Sequence, residues 1–182
     1  MLDKDITLGL VYKTAISSDY GSKVLPYNLD NPSTFGLGIN WMLDEKSSVA
    51  FDYKLLGYGS AAGYSDYGWS NQHVFALGYE RQSDDQLTLR AGFNYGTDIV
   101  GTAKAQEVVA TYIGFPAVTA AHFTLGAGFD LKESGKIDAS FVYGMSFSDS
   151  YTYEDPNNGN LPTLVKATNN QTSITVDYTY AF

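Results

Sequence analysis

The side chains able to do chemistry in this chain are few, and their spacing narrows what that chemistry can be. There are two histidines, His73 and His122, and no cysteine. Each histidine opens an alternating apolar–polar segment beside a long link, where a Ser or Asp neighbour would make it an acid–base group. The ordinary alternative is a hydrogen bond at a strand end. No nucleophile elbow, phosphate-cradling glycine loop or thiolate metal site is present in the sequence. The stretch Glu154-Asp155-Pro156-Asn157-Asn158-Gly159-Asn160 offers oxygen ligands without calcium-loop spacing and reads as a solvated turn. The chain is therefore expected to be no enzyme, with no catalytic residue, metal or cofactor.

Charge and apolar surface offer more. The link Asp84-Asp85-Gln86 sets Ser83 opposite Leu87, which puts Glu80 opposite Arg90. With Asp130 and Asp138 on the polar faces of neighbouring segments, Glu80 and Arg90 form a candidate interior polar network. Their ion pair should matter more for register than for net stability. A second candidate is apolar: Val108, Tyr112, Ile113, Phe115 and Val118 crowd one long link. Such a surface must be buried against the mouth of its own fold or on a hydrophobic ligand, and these five are the candidate ligand-binding residues. Tyr58, Tyr64, Tyr67 and Trp69 read as an interfacial aromatic girdle rather than a ligand cage.

The elements that must position these groups are strands. Eight segments alternate with period two, at about 6–16, 33–43, 47–58, 73–83, 87–97, 121–132, 136–152 and 171–182. Their lengths suit a membrane-spanning strand of roughly 9–11 residues. In Leu87-Thr88-Leu89-Arg90-Ala91-Gly92-Phe93-Asn94-Tyr95 every odd position is apolar. Segment 136–148 sets Ile137, Ala139, Phe141, Tyr143, Met145 and Phe147 on one face. Glycine and charge fill the other faces, as in Gly36, Gly78, Gly92, Gly126 and Gly128 beside Asp52, Lys54 and Asp177. Bulky rings outside and small or charged groups inside describe a lipid-facing barrel with a polar interior. Short links (Asp44-Glu45-Lys46, Asp84-Asp85-Gln86, Glu133-Ser134-Gly135) alternate with long ones at 17–32, 59–72, 98–120 and 153–170. That alternation fits tight periplasmic turns and long extracellular loops.

Composition agrees. The 182 residues include 18 Gly, 15 Tyr and 10 Phe, at a mean hydropathy of -0.17. No run approaches the roughly 20 apolar residues of a spanning helix. A net charge of -9 argues against nucleic acid as a partner. Met1-Leu2-Asp3-Lys4-Asp5 leads straight into a strand with no signal peptide pattern. The chain ends Tyr178-Thr179-Tyr180-Ala181-Phe182, which looks like the sorting signal that outer-membrane barrels present to their assembly machinery.

Several stretches together resemble the FadL/TodX family of outer-membrane transporters for long-chain fatty acids and aromatic hydrocarbons. They are Asn31-Pro32-Ser33-Thr34-Phe35-Gly36-Leu37-Gly38, then Trp69-Ser70-Asn71-Gln72-His73-Val74-Phe75-Ala76-Leu77-Gly78-Tyr79-Glu80-Arg81, and Phe115-Pro116-Ala117-Val118 before His122. The resemblance covers most of residues 6–182. It implies the C-terminal eight strands of a larger, roughly fourteen-stranded barrel whose N-terminal hatch plugs the lumen, and here the hatch has no counterpart.

The expected fold is thus all-β: one antiparallel up-and-down transmembrane β-barrel domain over 1–182, most simply of eight strands, the last pairing with residues 6–16. The expected location is a bacterial outer membrane. Its expected partners are membrane lipid, a hydrophobic small molecule, and the barrel-assembly machinery through Phe182. The competing expectations are a compact structural or engineered barrel fragment without transport, and a soluble lipocalin-like ligand-binding barrel.

Overall fold

The alternating segments are rich in β-branched and aromatic residues, which favour a pleated, half-covered surface. They form strands in a computed structural model that describes residues 5–19, 28–100, 120–155, 157 and 159–180. The strands are β1 (Ile6–Lys13), β2 (Thr34–Asp44), β3 (Ser47–Leu56), β4 (Gln72–Gln82), β5 (Leu87–Gly96), β6 (Ala121–Asp130), β7 (Lys136–Asp155) and β8 (Leu161–Thr179). They make one eight-stranded sheet in chain order, every neighbour antiparallel. This is the up-and-down all-β architecture. Among the described residues no ladder joins β8 to β1, so the expected pairing of the last strand with 6–16 is not among the observed ones. Phe182 lies outside the described residues.

The register keeps the two faces separate across the whole sheet. One row runs Leu8, Ile39, Phe51, Leu77, Phe93, Phe123 and Tyr143, each directly opposite the next. The row on the other face runs Thr7, Asn40, Ala50, Gly78, Gly92, Thr124 and Val142. The apolar face is the exposed one: Leu125 is 60% and Ile174 75% accessible, and no large side chain among the described residues is fully buried. Leaving such side chains in water forfeits roughly 1.5–3 kcal/mol each. A sheet with this outer face is built for an apolar surrounding.

The three tight turns share a device. Asp44, Asp84 and Asp130 each stand at the start of one, and each Oδ1 accepts the backbone N–H two residues on, from Lys46, Gln86 and Lys132. These Asx turns give the chain a local partner where the ladder ends. Between β6 and β7 a 3₁₀ turn, Lys132–Ser134, closes at Gly135, whose φ of 105° and contact with the Thr179 carbonyl leave no room for a Cβ.

The β7–β8 hairpin departs from the sequence reading. The stretch 153–170, expected as a loop, is mostly ladder, and pairing continues from Lys136↔Thr179 up to Asp155↔Leu161. A β-bulge between Gly144 and Phe147 puts two β7 residues against Asn170 alone. Because side chains alternate with period two, one extra residue reverses the facing of everything beyond it. Tyr143 therefore stays on the exposed apolar face, while Tyr151 is half-buried on the opposite side. A single apolar face along the whole of β7 does not hold.

Candidate functional site: a dry mouth above a charged inner wall

The long-link end of the sheet carries the main buried apolar cluster of the described chain. Ile99, Val100 and Ala167 are buried there, with Tyr58, Trp69, Tyr151 and Val165 packed against them. The β7 bulge turns Tyr151 to this side, where it faces Val165 across the ladder. Backbone bonds tie the links together: Ser70 donates to Ile99, Asp30 to Ala62, and Gly57 to Ser33. The aromatic rings of the second long link pack against one another, edge to face or tilted. Tyr58, Tyr64 and Trp69 have centroids 4.8–5.3 Å apart. They form a compact pillar at the mouth, not a girdle spread around the sheet. Burial pushes the Tyr58 phenol above the ordinary tyrosine range, and neighbouring Tyr64 adds to the shift.

The candidate ligand residues Val108, Tyr112, Ile113, Phe115 and Val118 all lie outside the described residues. Both ends of their segment are placed. It leaves from buried Val100 and returns at Ala120, whose carbonyl accepts the Gly96 N–H.

Toward the tight-turn end, the inner wall carries a chain of charges. Glu80 and Arg90 are direct cross-strand partners on β4 and β5. Arg90 Nε donates to Glu80 Oε2 at 2.6 Å, and its Nη1 donates to Asp138 Oδ1 at 3.0 Å. Lys136 Nζ lies 2.9 Å from Asp138 Oδ2. Arg90 reaches β7 by passing over β6, which is possible because β6 offers glycine there. A Cβ on Gly128 would stand 2.6 Å from Asp138 Oδ1 and 3.1 Å from Arg90 Nη1. The four side chains remain roughly a third to a half exposed, so solvent screens each pair and its net contribution to stability is small.

Asp130 is not in this chain of charges. Its carboxylate accepts the Lys132 N–H in the turn, and Lys136, its ladder partner, supplies the fourth group instead. Lys136 was legible: it stands two residues before Asp138 and so shares its face. The histidines divide between faces. His122 Nδ1 donates to Asn94 Oδ1 at 3.0 Å on the inner wall, whereas the Tyr53 hydroxyl and His73 Nδ1 lie 2.8 Å apart on the outer face. Among the described residues no three His, Asp or Glu side chains gather as a metal-ligand set.

Above the charges the inner wall is hollow. An open hollow of about 610 Å³ is lined by Ala50, Gly78 and Gly92 together with Asn40, Asp52, Asn94, Thr124, Glu80 and Arg90. Nothing lies within 4 Å of where a Gly78 Cβ would be. The arrangement can hold a small molecule between a dry mouth and a polar base.

Comparison with known proteins places this geometry. A family profile described as outer membrane protein transport protein (OMPP1/FadL/TodX) matches residues 10–182. Among solved structures, a Pseudomonas aeruginosa FadL homologue superposes with a TM-score of 0.70 at 15% identity, over 96% of this chain and 48% of that one. A TodX monoaromatic hydrocarbon channel deltaS2 mutant gives 0.64 at 17% identity, over 100% and 47%. The corresponding deltaS2S3 mutant gives 0.64 at 16%, over 100% and 48%. The chain thus spans about half the length of the structures it matches. No curated protein sequence matches it.

Proposed function

Since the chain belongs to the outer-membrane transport protein family of FadL and TodX, we propose that it lies in a bacterial outer membrane and takes up hydrophobic small molecules at its mouth. Long-chain fatty acids and aromatic hydrocarbons are the substrate classes, and no bond is made or broken. Recognition of Phe182 by the barrel-assembly machinery belongs to the same reading.

One observation carries it. Among the described residues almost no apolar side chain is buried except at the mouth, where Ile99, Val100 and Ala167 are covered by aromatic rings. Val100, the last described residue before the stretch holding Val108, Tyr112, Ile113, Phe115 and Val118, belongs to that cluster. Burial of an apolar ligand there would gain the transfer free energy the mouth already exploits.

The test uses residues 1–182 folded in detergent micelles, with Trp41→Phe leaving Trp69 as the reporter. Naphthalene should quench Trp69 saturably, and Val100→Asp should weaken that binding about tenfold. A folded, heat-modifiable protein with no saturable response would favour the structural barrel without transport. Protein that stays in solution without detergent would favour a soluble barrel.

A further inference from the structure

The geometry points to a phospholipid site on the outer face of the sheet at its tight-turn rim: Arg81 takes the headgroup phosphate, Asp44 its ammonium, and a groove beside Tyr79 one acyl chain. The inference rests on the proposed membrane location and concerns a face that uptake at the mouth does not use. Even-numbered β2 residues such as Asn40 face the inner wall, but a register shift between Met42 and Asp44 sets Asp44 directly opposite Ser47 on the outer face. Ser47 is in turn the ladder partner of Arg81. Acid and base therefore stand at the two ends of one outward row, with a strand between them. An arginine on a lipid-facing surface is tolerated at such a rim, where it reaches the headgroups.

Among the described residues Arg81 makes no ion pair. Its guanidinium hydrogen-bonds the Tyr79 hydroxyl and meets Asp44 only through the field between them. Its other donors are left for a phosphate, an oxyanion that a guanidinium fits. Ser47 is 3% exposed, and its hydroxyl approaches Tyr79 and Asp44 without an aligned hydrogen bond to either. The polar groups of this row thus do not satisfy one another. Beside Tyr79 the outer face dips into an apolar groove of about 290 Å³, lined by Val49, Leu77, Ala91 and Phe93. The dip falls at Ala91, which is directly opposite Tyr79 and is followed along the row by the far bulkier Leu125. At this rim Glu45, Asp84 and Asp85 outnumber Lys46, so a zwitterionic glycerophospholipid fits better than an anionic one.

The test offers residues 1–182, folded in detergent micelles, equal amounts of dimyristoyl phosphatidylethanolamine, phosphatidylglycerol and phosphatidylcholine. Native mass spectrometry then reads the lipid that each chain retains. The ethanolamine lipid should be retained about tenfold over the other two, since choline has no N–H for Asp44 and glycerol has no cation. Arg81→Gln should cut that retention about tenfold, and Ala91→Leu, which fills the groove, should lower retention of all three lipids about as much. Asp44→Asn, which keeps an acceptor for the Lys46 N–H, should erase the preference for ethanolamine over choline. Heat-modifiable migration shows which variants are folded. If Arg81→Gln is not, Ala91→Leu and the wild-type headgroup order decide. No retained lipid, equal retention of the three headgroups, or folded Arg81→Gln and Ala91→Leu variants that match the wild type would overturn the site and leave the membrane location intact. Protein that stays in solution without detergent would bring down both.

Discussion

At the mouth, Ile99, Val100 and Ala167 are buried under Tyr58, Trp69 and Tyr151, whereas along the inner wall Arg90, Glu80 and Asp138 stay 38%, 50% and 33% exposed. The mouth is held by removing apolar area from water, over contacts between links far apart in sequence. The wall is held by backbone ladders, and its charges add register and chemical character more than free energy. The two regions should therefore answer differently to mutation: the mouth fails by opening, whereas the wall gives up little when one of its charges is removed.

The largest effect should come from Gly63→Ala. Gly63 has a φ of 84°, and a Cβ there would run into the Asn28 carbonyl, which is backbone and cannot step aside. The substitution should cost about 3 kcal/mol. It should expose the long links to protease while the strand wall keeps its heat-modifiable migration in gels. Loss of that migration would mean that mouth and wall unfold together.

Trp69→Ala comes next. It removes the ring that packs on Tyr58 and Tyr64, and should lower the urea resistance of the mouth by about 2 kcal/mol, because the site is half-buried. Arg90→Gln removes two partly exposed ion pairs, and should shift global unfolding by about 1 kcal/mol or less. A larger loss for Arg90→Gln than for Trp69→Ala would reverse the comparison.

The smallest effect belongs to the turns, which neither region controls. The N–H groups of Gln86 and then Leu87 hold the Asp84 carboxyl below the usual carboxylate range. Its stabilising contribution is complete above the unfolded-state pKa and is lost as pH falls through the lower folded value. Asp84→Ala should thus lessen the difference in unfolding midpoint between pH 7 and pH 3. An unchanged difference would show the turn to be held by its ladder alone.

Where an interaction is local, the residues announce it. Period two put Leu77 and Phe93 on one face and Gly78 and Gly92 on the other, and the link at 84–86 set Glu80 against Arg90. The Asx turns were also within reach, since Asp44 and Asp84 each open a short link and Asp130 stands three residues before another. That repeated position engages Asp130 with the Lys132 N–H, and its ladder partner Lys136 joins the inner carboxylates instead. The β7 bulge carried no comparable signal. Gly144 and Met145 fit an unbroken alternation, and only the partner strand shows the additional residue.

Alone, the sequence determined the strands, their order, their two faces and the Glu80–Arg90 register. Each of these follows from the pleat and from short links, whose constraints act between residues close along the chain. Tertiary structure decided the rest. It reversed β7 at the bulge to bring Tyr151 to the mouth, passed Arg90 over β6 to Asp138, and gathered Tyr58, Trp69, Ile99 and Ala167 from two links and β8. Those contacts depend on where β5, β6 and β7 stand relative to one another in space. Period and spacing along one strand carry no record of that.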